Sequence, residues 1–230
     1  MKIKICGLFR EQDIDYVNEA KPDYAGFVFA ESKRKVSPAF AAELRRCLLD
    51  EIIPVGVFVN AVVADIVALY NENIISIAQL HGTEDDEYIT RLKEASATGG
   101  KMPVEVIKTI KIGDLPPCNS VSSVVDSSLA ANSSLLDTGA DYYLIDSGAG
   151  SGKPFNWELL NSPRVEAIKA KPWFLAGGIG LDNIEQALSF NPYALDISSG
   201  AETDGIKDRE KIVQLVSIVR GCAGTQRKKI

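Results

Sequence analysis

One cysteine, one histidine and two aspartates stand out in this sequence, because each falls at the end of a short apolar run. Cys6 closes KIKIC, His81 follows IISIAQL, Asp146 ends YYLID and Asp196 lies in ALDIS. These are side-chain types that move protons. Along a strand, side chains alternate with period two. Lys4 and Cys6 then share a face, as do Gln79 with His81, Val106 with Lys108, Leu144 with Asp146, and Ala194 with Asp196 and Ser198. If the runs are strands of one barrel, five of them send polar or ionisable groups toward a single cavity. A lone buried ion pair would not need so many. Taken singly, each residue has a plainer reading. Cys6 reads as a small buried hydrophobe, Lys108 as a lysine snorkelling to solvent, His81 as a hydrogen-bonded loop residue, and Asp146 and Asp196 as helix N-caps. Only their joint placement at strand ends favours a site.

Two glycine-rich segments follow the last two apolar runs: Ala176-Gly177-Gly178-Ile179-Gly180, ahead of a helix over 181–190, and Ser198-Ser199-Gly200-Ala201-Glu202. Glycine lets a backbone approach an anion closely, and a helix N-terminus offers unpaired N–H groups. Tight turns between strand and helix would use the same residues. A third segment, Gly148 to Pro154, looks superficially like a phosphate-binding P-loop. It fails that pattern, since Ser147 stands where a glycine is needed and Pro154 replaces the hydroxyl residue. It reads as a flexible loop able to close over a phosphate.

The elements that must position these groups recur every 20 to 40 residues. Strands are expected at 2–6, 24–29, 53–58, 74–80, 104–109, 142–146, 172–176 and 194–198. Helical spacing lies between them: Asp13, Val17 and Ala20; Ala39, Ala42, Leu44 and Leu48 behind Ser37-Pro38; Val62, Ile66, Leu69 and Tyr70; Tyr88, Leu92 and Ala95 behind an acidic first turn at 84–87; and Ile212, Leu215, Val216 and Val219. The serine-rich stretch 110–141 reads as a loop followed by a helix. Residues 221–230 lack periodicity and read as a disordered tail. Eight strand-then-helix units are the count of an α/β fold of the (β/α)8 TIM-barrel type, a single domain over 1–220. In such a barrel all eight C-terminal strand ends meet at one mouth, and the loops after strands seven and eight frequently hold phosphate.

Composition removes other classes. The chain has 230 residues and a formal charge of −6, which argues against broad binding to a nucleic-acid backbone but not against one small phosphate pocket. No apolar run approaches the ~18 residues of a membrane span. The four cysteines, at 6, 47, 118 and 222, form no CxxC pair, so the reducing cytoplasm is the expected compartment. With one histidine, zinc sites of the Cys/His type are nearly excluded. A serine-protease triad would have to use His81, and no GxSxG elbow accompanies it.

The segments KICG (4–7), SKRKVSP (32–38), GVFVN (56–60), QLHG (79–82), LIDS (144–147), GSGKPFNW (150–157), LAGGI (175–179), and DISSGAE followed by GIKD (196–208) resemble the phosphoribosylanthranilate isomerases of tryptophan biosynthesis. The likeness runs in order from residue 3 to about 220. It implies a (β/α)8 barrel that performs an Amadori rearrangement of a small-molecule substrate, N-(5-phosphoribosyl)anthranilate, with no metal or other cofactor. It implies a cytoplasmic monomer or homodimer without nucleic-acid or membrane partners. By position Asp146 resembles the general acid and Cys6 the general base. Lys4 would lower the Cys6 pKa toward a thiolate. Arg34 would pair with the anthranilate carboxylate, and His81 and Asp196 would line the aromatic or ribose end. Phosphate would sit on Gly177, Gly178, Ser199 and Gly200, with Gly152 in the covering loop.

Rival barrels fit less well. Indoleglycerol-phosphate synthase would want a lysine and glutamate set and an extra N-terminal helix. A histidine-pathway isomerase would want an aspartate where Cys6 stands. A barrel that only binds a phosphorylated metabolite would not need both Cys6 and Asp146.

Overall fold

The computed structural model of the chain describes residues 1–111, 139–146, 157–161 and 163–226. Eight parallel strands close into a barrel: β1 (Lys2–Cys6), β2 (Tyr24–Val28), β3 (Ile53–Phe58), β4 (Ile77–Leu80), β5 (Glu105–Lys111), β6 (Tyr142–Asp146), β7 (Trp173–Ala176) and β8 (Ala194–Ile197). β8 returns to pair with β1, and that register sets Lys4 directly opposite Asp196. Parallel strands with helices outside are buried on both faces. Tyr24, Val55, Ile77, Ile107, Leu144 and Phe174 fill the barrel. The alternate positions, such as Ile3, Ile5, Phe27 and Leu195, pack under the helices. Each such large apolar side chain contributes roughly 1.5–3 kcal/mol on burial.

The helices are α1 (Glu11–Ala20), α2 (Pro38–Cys47), α3 (Val63–Asn71), α4 (Asp86–Ser96), α5 (Pro163–Ile168), α6 (Ile184–Ser189) and α7 (Arg209–Gln226). Ser37 caps α2 as expected, its hydroxyl accepting from Phe40 N at 3.2 Å with Pro38 in the first turn. At α4 it is Asp85 that caps, accepting from Tyr88 N at 2.9 Å. Glu84, expected in the first turn, instead folds inward to accept from Asn60 N, Gly82 N and Lys108 Nζ. The expected strand 74–80 begins only at Ile77, because the N–H groups of Ile74 and Ile75 close the end of α3 by donating to Leu69 O.

Three further differences bear on the site. α5, opening on Pro163, and a 3₁₀ turn at Trp157–Asn161 lie between β6 and β7, where no helix is read from the sequence. α7 continues to Gln226, six residues into the stretch read as a tail, since a helix already nucleated adds residues at little cost. A small antiparallel ladder, β9 (Glu202–Thr203) with β10 (Ile206–Lys207), follows β8. Its turn is Asp204-Gly205, both left-handed (φ 52° and 81°), as a two-residue hairpin of type I′ requires. The loop-then-helix reading of 110–141 falls mostly on residues outside the described ones.

Candidate active site

The barrel interior near its C-terminal end is built on β1. Lys4 is fully buried, and its ammonium donates to Gln79 Oε1 at 2.7 Å and to Asp196 Oδ1 at 3.0 Å. Burial opposes that charge, but Asp196 and then Cys6 outweigh it and hold the Lys4 pKa above the ordinary lysine value. Cys6 lies two residues on, on the same face. Gly26 of β2 makes room for it, since a Cβ there would come within 2.7 Å of the Cys6 sulfur. Burial pushes the Cys6 thiol up. Lys4 pulls it down, Asp196 pushes it up again, and the balance stays above the ordinary thiol value. Lys4 thus acts on the thiol in the expected direction, with burial and the Asp196 carboxylate working against it.

His81, just past β4, reaches Asp146 at the end of β6: its Nε2 lies 3.3 Å from Asp146 Oδ2. The other ring nitrogen, Nδ1, lies 3.1 Å from Thr109 Oγ1 and 3.4 Å from Gln79 Nε2. β5 lies between β4 and β6, so this contact spans the inside of the barrel. Cys6 and Asp146 both lie on the cavity side of their strands. Both aspartates face this interior, and Asp196 is held there by Lys4.

Strand β5 departs from the expected parity. Ile107 and Thr109 face inward, whereas Val106 packs among the outer residues. Lys108 goes with Val106, and its ammonium binds Glu84 Oε2 and Gly82 O, each at 3.0 Å. Lys108 thus braces the loop that carries His81 instead of facing the cavity.

A second charged group sits where β8 runs into the hairpin. Glu202 and Lys207 are paired across the β9–β10 ladder, and Lys207 Nζ donates to Glu202 Oε1 at 2.6 Å and to Ser198 O at 3.1 Å. Arg34 closes on the same carboxylate, Nε to Oε1 at 2.6 Å and Nη2 to Oε2 at 2.7 Å. Burial works against the Glu202 charge, but Arg34 and Lys207 hold its pKa below the ordinary value. Arg34 was expected to face a substrate carboxylate. Here two of its five N–H donors are taken by Glu202, which fixes the plane of the fork before any ligand arrives. Glu202 and Lys207 carry no role in the sequence reading. The Asp-Gly hairpin signal between them would have placed both on one ladder.

The glycine segments after β7 and β8 meet. Gly180 and Gly200 form a parallel bridge, and a Cβ on Gly200 would fall 1.9 Å from Ile179 O. Asn183 pins the first segment, accepting from Gly180 N at 2.9 Å and donating to Gly178 O at 3.0 Å. Gly177, Gly178, Ser199 and Gly200 therefore belong to one joined rim. Gly152 lies outside the described residues. Among the described residues no group of three His, Cys, Asp or Glu side chains is placed to hold a metal, and no helix is long and apolar enough to cross a membrane.

Comparison with known proteins agrees over almost the whole chain. The family model described as N-(5′-phosphoribosyl)anthranilate (PRA) isomerase matches residues 3–218. The N-(5′-phosphoribosyl)anthranilate isomerase of Endomicrobium trichonymphae is 44% identical over 95% of this chain and 98% of its own. That of Acetivibrio thermocellus is 39% identical, over 96% and 97%. Among solved structures, the phosphoribosyl anthranilate isomerase of Thermus thermophilus superposes with a TM-score of 0.73 at 28% identity, covering 96% of this chain and 100% of that one. A phosphoribosyl anthranilate isomerase bound to reduced 1-(o-carboxyphenylamino)-1-deoxyribulose 5-phosphate gives 0.72 at 28% identity, over 96% and 99%. With its closed eight-stranded barrel and the family pattern running from β1 into α7, this chain belongs to the N-(5′-phosphoribosyl)anthranilate isomerase family.

Proposed function

We infer that the chain converts N-(5-phosphoribosyl)anthranilate to 1-(2-carboxyphenylamino)-1-deoxyribulose 5-phosphate, an aldose–ketose isomerisation of tryptophan biosynthesis. The observation that carries this reading is the connected set Cys6, Lys4, Gln79, His81 and Asp146 inside the mouth of a barrel of this family. Asp146 gives a proton to the furanose ring oxygen, the C1–O bond breaks, and the anthranilate nitrogen takes up the positive charge as an iminium. Cys6, as a thiolate, removes the C2 proton. The released electron pair forms the C1=C2 bond of an enolamine and neutralises the nitrogen. Loss of the C2 hydroxyl proton and protonation at C1 then give the ketone. Protons move and no net electrons are transferred, so the reaction calls for no redox cofactor.

The remaining residues bind. Arg34, its plane set by Glu202, offers its other N–H groups to the anthranilate carboxylate. Lys4, His81 and Asp196 line the ribose and aromatic end. Backbone amides of Gly177, Gly178, Ser199 and Gly200 hold the phosphate, with Gly152 in the covering loop. On this reading the enzyme is cytoplasmic, monomeric or homodimeric, and without nucleic-acid or membrane partners. Purified protein should consume the substrate with loss of its anthranilate-type fluorescence. Cys6→Ala and Asp146→Asn should each lower kcat by about 10²–10⁴-fold with an unchanged circular-dichroism spectrum. Absence of turnover in the wild type overturns the activity. Near-normal turnover in either variant overturns that residue's role.

A further inference from the structure

We propose that Gln79 is a positioning residue that fixes His81 as the Nε2–H tautomer, so that His81 donates to Oδ2 of Asp146, the residue read as the general acid. The Lys4 ammonium has donors and no acceptor. It lies 2.7 Å from one end of the Gln79 amide, so that end is the carbonyl oxygen. The amide cannot turn over without setting its NH₂ group against the ammonium. Lys4 is itself held by Asp196 at 3.0 Å, with no exposure to solvent.

The other end of Gln79, Nε2, is therefore a donor, and it faces His81 Nδ1 at 3.4 Å. A nitrogen that accepts carries no proton, so in the neutral ring the proton is on Nε2. Thr109 Oγ1, 3.1 Å from the same Nδ1, is a hydroxyl and serves either tautomer. It follows the choice that Gln79 makes. His81 Nε2–H then points at Asp146 Oδ2, 3.3 Å away. An oxygen that accepts from this N–H does not also direct a proton toward it. Lys4, anchored on β1, thus acts on the carboxyl at the end of β6 through one amide and one imidazole.

The rate arm of the test rests on the isomerase reading above, whereas the spectroscopic arm does not. His81 is the single histidine of the chain, so protein labelled with ¹⁵N-histidine gives one imidazole and needs no assignment. With the ring neutral, wild type should show protonated Nε2 and bare Nδ1. Gln79→Glu replaces the donor by an acceptor, so Nδ1 should gain a proton. In the same variant kcat should fall about 10–100-fold with KM changed less than about threefold. Thr109→Val, which keeps Gln79, should leave the proton on Nε2. A wild-type proton on Nδ1 overturns the proposal without any variant. So does a folded Gln79→Glu protein with bare Nδ1 or unreduced kcat, or a Thr109→Val protein whose proton has moved. Wild-type protein without turnover strikes the isomerase reading, while the spectra still decide the tautomer.

Discussion

Lys2 and Lys4 sit two residues apart on the same face of β1, and the barrel treats them in opposite ways. Lys2 lies at the N-terminal end, its ammonium 5.3 Å from the ring centre of Tyr24 and 5.0 Å from that of Tyr193. Phe174 packs against Tyr24, Tyr142 and Tyr193 at 5.4–5.8 Å, so aromatic rings close that end. Lys4, about 7 Å further along the strand, meets a carboxylate and an amide. At the closed end burial pushes the Tyr24 phenol up and Tyr142 up to about 12, whereas at Tyr193 burial is outweighed by hydrogen bonds with Lys2 and Tyr24, which hold the phenol below its ordinary value. The open end keeps buried charges, each of which needs a partner. One end of the barrel therefore supplies packing, and the other holds groups whose protonation and orientation matter.

Lys4→Met tests this contrast most severely. It strands Asp196, which is 8% exposed, and breaking such a buried pair costs about 3–5 kcal/mol. It also removes the cation nearest Cys6, so the thiol should rise further. The acidic limb of kcat/KM, on which the base must lose its proton, should then move to higher pH. Denaturant titration reads the first effect and a pH–rate profile the second. A folded variant with an unmoved limb would make Lys4 a structural partner of Asp196 only.

Glu202→Gln should be milder, about 2 kcal/mol at neutral pH, the scale of hydrogen bonds to charged groups. Its folded pKa lies below the unfolded value, so its contribution is present above that unfolded value and lost as pH falls through the folded one. The stability gap between wild type and variant should therefore narrow below about pH 4.5. A gap that does not change with pH would mean that the Glu202 charge contributes nothing.

Tyr24→Phe, at the closed end, should matter least. It removes a hydroxyl bonded to Lys2 Nζ at 3.2 Å, costing about 1 kcal/mol, and should leave kcat within about twofold. A larger fall in kcat would erase the division between the two ends.

The barrel is legible in the sequence because each strand is a short apolar run with a helix pattern behind it, and the strand ends carry the unusual side chains. The inward direction of Lys4, Cys6, Gln79, Asp146 and Asp196 follows from parity. Parity misleads at β5, whose inner and outer faces are both apolar, Ile107 on one side and Val106 on the other. A strand buried on both faces has no hydrophobic alternation to orient it. Lys108, taken as the polar mark of the inner face, marks the outer one. Glu202 and Lys207 are missed for a different reason. Their relation depends on the Asp204-Gly205 turn, and the segment ahead of it reads as a glycine-rich loop rather than the start of a hairpin. The pull of Lys4 on Cys6 was legible from their spacing, but the opposing push of burial and Asp196 was not, because only three-dimensional packing sets it.

The barrel closes by joining its last strand to its first, and this dictates when the site can exist. Lys4 and Asp196 are separated by 192 positions, and Arg34 and Glu202 by 168. During synthesis the cationic member of each pair leaves the ribosome long before its carboxylate. Until β8 arrives, β1 and β7 are bare sheet edges, and Lys4 has no counter-ion worth leaving water for. Closing so long a loop adds little entropy beyond that of a shorter one, but the contact cannot precede its own residues. The Lys4–Asp196 and Arg34–Glu202 pairs of the mouth thus assemble last, on a scaffold that earlier strand pairs have already shaped.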